Sequence, residues 1–502
     1  MALNLQDWLA YTKAVDLANV SDERFNELRC AWDAYYGRNP KPLALEQRSG
    51  QSAIDDNIAL NTAAQIVDEA VSALTGNGLV MEIEPADEED QTQSDDASEE
   101  HEKSPEELWW EPISKSNRFN ILLHNTAVNG AVCGHMFWKI SPKSGVTGEV
   151  PRIINLNPAM VSVSCNEEDM AEVWAYCIRF EVKTAGGLKQ RLEVIAKGEP
   201  GTLLVDPTGT VEVIPDPNMA QASHWTISDY DYNNHNRTWI LTNTIIWPYP
   251  FAPIIDAENL PDPCQYYGKA DLTPAVIEMD KAVDRSASII NRVCRVVGFP
   301  RPIASGISPN QAAKLKEAKI GEAFFLESKD ASIKMLEMSG DLTALGNWYK
   351  QLKSSLLAAG AMPDLDTDKM DSIGKLSALA MRILFSKQER RVMLKRMNLE
   401  TMISETIRRL RIITNQPEAV KIEYRWPSVI PANTKEDLEV ALMKNDIGVS
   451  QDTLLQELGY DPDTEFGKRE IEKANNPPAP NPFDRMIQPI AQPTAHPFDN
   501  AD

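Results

Sequence analysis

Apolar residues recur at three- and four-residue steps over several long segments, and this spacing predicts amphipathic α-helices. The most regular segment covers residues 272–297, whose other faces carry Asp280, Asp284, Arg292 and Arg295. Further helices are predicted over residues 342–357 and 376–413. The last would be about 55 Å long at about 1.5 Å per residue. Few compact single domains need such a helix.

The first part of the chain also has helical spacing. Helices are predicted over residues 22–36, 57–74 and 108–142, and the second ends at the glycine-rich turn 76–78. The end of the third segment changes to β-branched and aromatic residues, which indicates a strand.

Residues 151–250 have a strand pattern instead. Short runs of β-branched and aromatic residues alternate with Gly, Pro and Asn turns, and a proline-rich bend at 248–263 closes the region. The predicted strands are 161–163, 173–182, 192–195, 210–214 and 239–246. Separate helical and strand-rich regions predict the α+β class.

A small mixed module lies between the first two long helices. It begins at a Gly/Pro-rich break, 298–302, and continues with a predicted helix, 309–319, and strands at 323–326 and 333–336. Two long helices that bracket such a module are unusual in a self-contained enzyme. After the third long helix we predict a returning strand, 423–427, and two short helices, 434–445 and 450–458, the second capped by Ser450.

Composition limits the protein class. The length of 502 residues predicts two to four substructures. No apolar run approaches the roughly 18 residues of a membrane span, and residues 1–7 lack a signal-peptide pattern, so a cytoplasmic site of synthesis is expected. The six cysteines form no CxxC pair, and free thiols are predicted. Residues 86–107 and the Pro-, Asn- and Gln-rich segment from 475 are expected to be disordered.

The net charge is −24, so the chain as a whole would repel DNA. A channel that lets DNA slide would benefit from weak adhesion, although most acidic proteins are acidic only for solubility. The predicted helix 376–413 reverses this charge. Its basic residues are Arg382, Lys387, Arg390, Arg391, Lys395, Arg396, Arg408, Arg409 and Arg411. They could be solvated or paired with acidic neighbours, or they could face adjacent subunits or DNA.

No catalytic motif is present: the sequence lacks HExxH, GxSxG and a Walker loop. Residues 364–371 begin like a calcium loop, but Lys369 and Lys375 stand where an EF-hand needs Gly and Glu. We therefore predict no catalytic residue, no metal site and no cofactor.

Several short motifs appear in a recognisable order. One motif is YYGKADL at residues 266–272, which precedes a long helix. It resembles the opening of the first stem helix of tailed-bacteriophage portal proteins, of the long-tailed phage type. Residues 291–302 resemble the exit into the portal clip, and residues 374–380 resemble the start of a kinked wing helix. Trp426-Pro427 with residues 448–458, and the helix ending at Gly76, resemble further portal motifs.

The resemblance implies an α+β portal fold with a mixed α/β wing, a two-helix stem, a small α/β clip, a long kinked wing helix and a helical crown. The implied segments are an N-terminal wing at 1–265 with the insertion 86–107, a stem helix at 266–297, a clip at 298–340, a second stem helix at 341–358, a tunnel loop at 359–375, a C-terminal wing at 376–431, a crown at 432–474 and a tail at 475–502.

The implied function is structural: a homo-oligomeric ring of about twelve subunits at one capsid vertex, through which double-stranded DNA is packaged and ejected. The implied partners are the terminase large subunit, a head–tail adaptor, and the major capsid and scaffolding proteins, with no membrane. The protein would reside in the virion and in the host cytoplasm during assembly.

Site residues follow from this resemblance. Lys369 and Lys375 of the tunnel loop would contact DNA. Asp280, Asp284, Arg292 and Arg295 are channel-lining candidates. The clip residues that would dock the motor or adaptor are Arg301, Lys314, Lys316 and Lys319.

Three alternatives stay open at this stage. Another virion structural protein, such as a minor head or adaptor protein, would share the acidity but would not need the bracketed module. A metal-dependent nuclease could assemble its site from scattered carboxylates. An adhesin or tail-fibre module is disfavoured by the helix content.

Overall fold

The protein is described by a computed structural model that covers most of the chain. The described residues are 18–48, 51–76, 78–85, 104–143, 150–166, 168–184, 187–198, 202–205, 211–214, 223–233, 238–298, 301–310, 332–336, 342–364, 378–430, 441–446, 448–457 and 465–469. The chain divides into two compact units, Met1–Glu88 with Lys103–Pro431 and Glu89–Glu102 with Ala432–Asp502.

Helices and strands alternate in long blocks along the chain. The described helices are α1 Ala18–Tyr35, α2 Thr62–Thr75, α3 Pro105–Asn117, α4 Phe119–Cys133, α5 Pro274–Gly298, α6 Leu342–Ala359, α7 Ala378–Ile413 and α8 Gln451–Glu457. The described strands are β1 Glu46–Arg48, β2 Gln51–Ile54, β3 Val80–Pro85, β4 His135–Ser141, β5 Arg152–Leu156, β6 Val161–Cys165, β7 Val173–Thr184, β8 Gly187–Lys197, β9 Thr202–Val205, β10 Val211–Ile214, β11 Trp225–Asn233, β12 Thr238–Trp247, β13 Ile254–Glu258, β14 Arg301–Ser305, β15 Ser332–Leu336 and β16 Val420–Arg425. The predicted α+β class is confirmed.

The strands of the first unit form antiparallel sheets. The largest has the order β12-β11-β8-β7-β6, and a three-stranded sheet has the order β13-β4-β5. β3 pairs with β16, although most of the chain separates the two strands in the sequence, and Ile83 lies opposite Ile422. The remaining strands form two-stranded ladders, β1-β2, β9-β10 and β14-β15.

The main hydrophobic core lies among α2, α4 and α7. Ile66 and Leu74 of α2, Leu123 of α4, and Leu399 and Ile407 of α7 belong to it, and each is at most 2% exposed. A second cluster joins the two larger sheets through Phe137 of β4, Tyr176 of β7 and Ile254 of β13, among others. Buried side chains therefore hold these two sheets against each other.

The predicted long helices are confirmed as α5, α6 and α7. α5 and α6 pack against each other and are joined through a segment that contains the antiparallel β14-β15 hairpin. The hairpin includes Pro302 opposite Met335, so the predicted break at 298–302 is already a strand from Arg301. α7 is helical without a break from Ala378 to Ile413, and the kink that the resemblance implied stays a prediction.

Two N-terminal predictions need correction. The helix predicted from residue 57 begins at Thr62, because residues 57–61 bond to other parts of the chain. The helical part of the segment predicted at 108–142 is two helices, because Arg118 adopts a left-handed conformation (φ 50°) between α3 and α4. The strand predicted at the end of that segment is confirmed as β4.

The acidic segment predicted as disordered ends earlier than expected. Ser104 and Glu107 form a capping box at the start of α3, in which the Ser104 hydroxyl accepts from the Glu107 amide at 3.1 Å. Residues 104–107 are therefore ordered. Residues 86–103 lie outside the described residues, as do 311–331, 365–377 and 470–502, which hold other predicted elements and the tail.

The second unit is described over short stretches. Its helix α8 starts after Ser450, whose hydroxyl accepts from the Thr453 amide at 3.3 Å, so the predicted N-cap is confirmed. Residues 441–446 are also helical, within the predicted helix 434–445 and one residue beyond it.

The cysteines agree with the sequence pattern. All six cysteines are free thiols, as predicted. Among the described residues, no helix combines the length and the hydropathy that crossing a membrane requires.

Candidate functional site

The backbone of segment 266–272 packs closely against the end of α4 at Gly134 and against Leu260. Gly134 ends α4 with φ 82°, and a Cβ there would stand 2.2 Å from the Gly268 oxygen. A Cβ on Gly268 would in turn stand 2.6 Å from the Leu260 oxygen. Both positions therefore require glycine. The Asp271 amide donates to the Ala131 oxygen at 2.8 Å, so this segment fixes the entry of α5.

The two tyrosines of this segment anchor it to the sheets. The hydroxyl of Tyr266 donates to the Asp256 carboxylate, which also accepts from Tyr176 at 2.9 Å and contacts His135 Nε2 at 2.8 Å. Burial alone would raise the pKa of Asp256, but these bonds, from His135 first, hold it below its usual value. The ring of Tyr267 lies 3.5 Å from the Arg24 guanidinium. The segment is thereby tied to β4, β7 and β13.

Asp271 ties the start of α5 to α7. Its side chain is 2% exposed, and Lys395 Nζ of α7, itself 3% exposed, lies 2.5 Å from Oδ2. Arg391 contributes a second cation at 3.7 Å from Oδ1, and Asn259 donates to Oδ2 at 3.4 Å. A buried carboxylate of this kind is stable only while its cations stay in place.

The acidic residues of α5 cap α2 from outside that helix. Asn61, the residue before α2, makes no side-chain cap, and Asp280 Oδ1 instead accepts from the Ala63 amide at 3.2 Å. One turn later, Asp284 Oδ1 accepts from the Leu60 amide at 2.9 Å. Burial, followed by the charge of Asp284, raises the pKa of Asp280 to about 6, against the bond from Ala63. Both carboxylates are buried.

The basic residues of α5 bind the same N-terminal segment. Arg295 forms a bidentate pair with Asp56, with Nε 2.7 Å from Oδ1, and Arg292 Nε lies 3.0 Å from Oδ2. The bond from Arg295 is the main cause of the lowered pKa of Asp56, and burial opposes it. Ser288 also accepts from the Ile58 amide at 2.9 Å. One polar side of α5 is therefore attached to residues 56–63.

All four channel-lining candidates thus contact the N-terminal part of their own chain. Their role in a channel stays a prediction, and for Asp280 and Asp284 it would require the buried contacts to open. Arg301 lies at the start of β14. The other predicted site residues, Lys314, Lys316, Lys319, Lys369 and Lys375, lie outside the described residues.

Many basic residues of α7 are paired within the chain. Arg408 and Arg409 both contact Glu405, and Arg409 also donates to the Ile254 oxygen at 2.6 Å. Arg411, 2% exposed, donates to the Pro417 oxygen. For these residues the interpretation of pairing inside the chain is confirmed. Arg382, Lys387 and Arg390 are exposed instead.

Two further motif segments meet on α7. A Cβ on Gly76, after α2, would stand 2.6 Å from Pro427 Cγ. Trp426 donates to Glu400 Oε1 at 2.7 Å, and Arg396 donates to the Pro427 oxygen at 2.7 Å. The residues that carried the resemblance in the N-terminal and C-terminal parts are therefore neighbours.

Sequence patterns missed the acceptors of this network. Asp56 and Asp256 each bind several donors, yet neither stands in a motif, and His135 is a single polar residue at the start of an apolar run. A lone polar residue beside a buried strand was the available signal. Among the described residues, no group of three or more His, Cys, Asp or Glu side chains could hold a metal ion.

One comparison, with protein-family models, agrees with the motifs. Residues 274–478 match the family model "Phage portal protein, SPP1 Gp6-like". A chain in the solved "Virion of native gene transfer agent (GTA) particle" is similar at 12% identity and a TM-score of 0.40, over 80% of this chain and 90% of that chain. No curated protein matches the sequence. The match covers residues 274–478, from α5 onward, and confirms over these residues the resemblance to portal proteins that the sequence predicted.

Proposed function

We propose that the chain is one subunit of a ring of about twelve copies that forms a DNA channel at one capsid vertex. The observation that carries the proposal is the portal-family match, which begins at α5 and spans the β14-β15 hairpin, α6 and α7. In this reading α5 and α6 are the stem, and the hairpin belongs to the clip.

The contacts of α5 support a rigid stem. One end of the helix is held by the Asp271–Lys395 pair, and one polar side is held by residues 56–63. A helix that borders a DNA channel must keep its position while DNA moves, and buried polar contacts of this kind fix one arrangement. Asp280 and Asp284 then act as positioning residues, and exposed side chains such as Glu278 and Arg285 are better placed to face a channel or a neighbouring subunit.

The partners of the ring are part of the same proposal. Arg301, Lys314, Lys316 and Lys319 would form the docking surface for the terminase large subunit and the head–tail adaptor. Lys369 and Lys375 would touch DNA phosphates transiently, and the capsid and scaffolding proteins would surround the ring. A minor head or adaptor protein is the second candidate, because it would share the acidity and the lack of catalytic motifs, although it would not need the module that α5 and α6 bracket.

Negative-stain images and the native mass of the purified chain test the ring. We expect closed rings with a central hole, and a monomer or an open aggregate under all conditions would contradict the proposal. A DNA-packaging assay tests the two lysines: replacing both Lys369 and Lys375 with Ala should change packaging rate or packaged length. Magnesium-dependent cleavage of DNA by the purified chain would favour a nuclease instead.

A further inference from the structure

The first half of α7 has an apolar face that no described residue of the first unit covers. On the side opposite the buried Phe385 and Val392, Ile383 is 67% exposed, Leu394 is 45% exposed and Met397 is 58% exposed. Single exposed apolar residues are ordinary, but a row of them along one helix face marks an interaction surface.

The spacing of this face is that of a helix–helix seam. Residues 383, 387, 390, 394, 397 and 401 are all exposed, and the steps between them alternate between four and three. This is the alternation of the a and d positions of a coiled coil, in which each side chain meets a facing helix. Lys387 and Arg390 occupy the centre of this row, and Arg382, Glu389 and Met393 flank it, so three cations stand against one carboxylate. We call this row and its flanks the α7 outer face.

We infer that the α7 outer face is a contact between subunits, occupied by an acidic helical surface of a second copy of this chain. The inference rests on the proposed ring. Charge complementarity selects the occupant: the chain has a net charge of −24, whereas this face is locally basic. Exposed carboxylates lie on helices of the same unit, at Glu27 of α1 and at Asp68 and Glu69 of α2.

The composition of the face favours a protein over DNA. Phosphate groups are bound by Lys, Arg and polar donors. Ile383, Leu394 and Met397 would gain nothing from such a contact, whereas apolar and methionine side chains are typical of the centre of a protein interface. The heterologous contacts of a cyclic ring also need two different complementary surfaces on each subunit, and this face would be one of them.

Methionine oxidation tests the inference on the full-length protein. Met393 and Met397 are 67% and 58% exposed in the single chain, and Met160 and Met170, at 41% and 37%, are matched controls elsewhere. A mild oxidant converts accessible methionine to sulfoxide, which peptide mass spectrometry measures. We expect at least about fivefold slower oxidation of Met397 in assembled rings than in monomers separated by size exclusion, with Met160 and Met170 unchanged.

Substitution provides the second arm. Leu394→Glu combined with Met397→Glu should lower the assembled fraction at least about tenfold, as expected when central apolar contacts are lost. Leu108→Glu, which changes a 57% exposed leucine on α3, should leave assembly unchanged. Circular dichroism and thermal melting of the monomers show whether each variant is folded.

The outcomes separate this inference from the proposed function. Rings in which Met393 and Met397 oxidise as fast as in monomers would overturn the inference and leave the portal proposal standing. Protection that appears only after duplex DNA is added would assign the face to DNA and also overturn it. If no ring forms under any condition, the portal proposal itself fails and the inference with it.

Discussion

The buried pair between Asp271 and Lys395 makes a prediction about unequal substitutions. Two cations, Lys395 and Arg391, lie within 3.7 Å of the Asp271 carboxylate, whereas the ion pair recorded for Lys395 is with Asp271. Asp271→Asn therefore leaves a buried ammonium beside a second positive charge. Lys395→Met leaves a carboxylate that Arg391 still balances, with Asn259 as a hydrogen-bond donor.

The magnitudes follow from burial. Breaking a buried ion pair by removing one partner costs about 3–5 kcal/mol, and we expect Asp271→Asn to lie in this range. Lys395→Met should cost about 1–3 kcal/mol, because a neutral side chain of similar length replaces a charge that had to be desolvated. The double variant removes both charges, so its cost should be less than the sum of the two single costs, with a coupling energy of about 1–3 kcal/mol.

Urea unfolding followed by circular dichroism, at one fixed protein concentration, measures all four proteins of this cycle. The concentration must be fixed because assembly contributes to apparent stability. The surface pair between Lys421 and Glu84 is a matched control, since both side chains are more than half exposed and removing either should change stability by less than about 1 kcal/mol. If Lys395→Met proved as costly as Asp271→Asn, or if the two effects simply added, the role assigned to Arg391 would be wrong.

Three other predictions concern α5, the glycine contact before it, and α6. Because the pKa of Asp280 is raised from 3.8 to about 6, its charged form destabilises the fold. This penalty is present above about pH 6 and is lost as the pH falls towards 4. The stability difference between wild type and Asp280→Asn, measured by urea titration, should therefore shift by about 2 kcal/mol between about pH 8 and about pH 4. Gly134→Ala should cost more than about 3 kcal/mol or prevent folding, because its Cβ would stand 2.2 Å from the Gly268 oxygen; soluble yield and melting temperature report this. Gly346→Ala, inside α6 with no atom within 4 Å of the new Cβ, should instead stabilise by about 0.5–1 kcal/mol, and a loss of stability there would contradict the described helix.

The long helices were predictable because their periodicity is local. α5, α6 and α7 begin and end within about two residues of the predicted bounds, a normal uncertainty for helix ends. The break at Arg118 was not predictable from periodicity, since apolar spacing continues on both sides of a single left-handed residue. β11 and β13 were missed because charged and proline-rich neighbours obscure their alternation.

The candidate site was predictable in position but not in its contacts. The 266–272 motif marked the entry to α5, yet nothing local indicates that Asp271 meets a lysine more than a hundred residues later. The acidic residues of α5 were expected to line a channel because an amphipathic pattern shows which side of a helix is polar. It does not show that another segment of the chain covers that side, as residues 56–63 do.

The pairing of β3 with β16 has a consequence for the order of folding during synthesis. Val80 lies opposite Arg425, so the partner of β3 leaves the ribosome only after most of the chain has been made. Until then β3 presents unpaired backbone groups, which are a template for pairing with other chains. Fragments that end before residue 420 should therefore be recovered mainly as aggregates, and growing chains that are crowded on one messenger RNA would depend on chaperones that cover this strand.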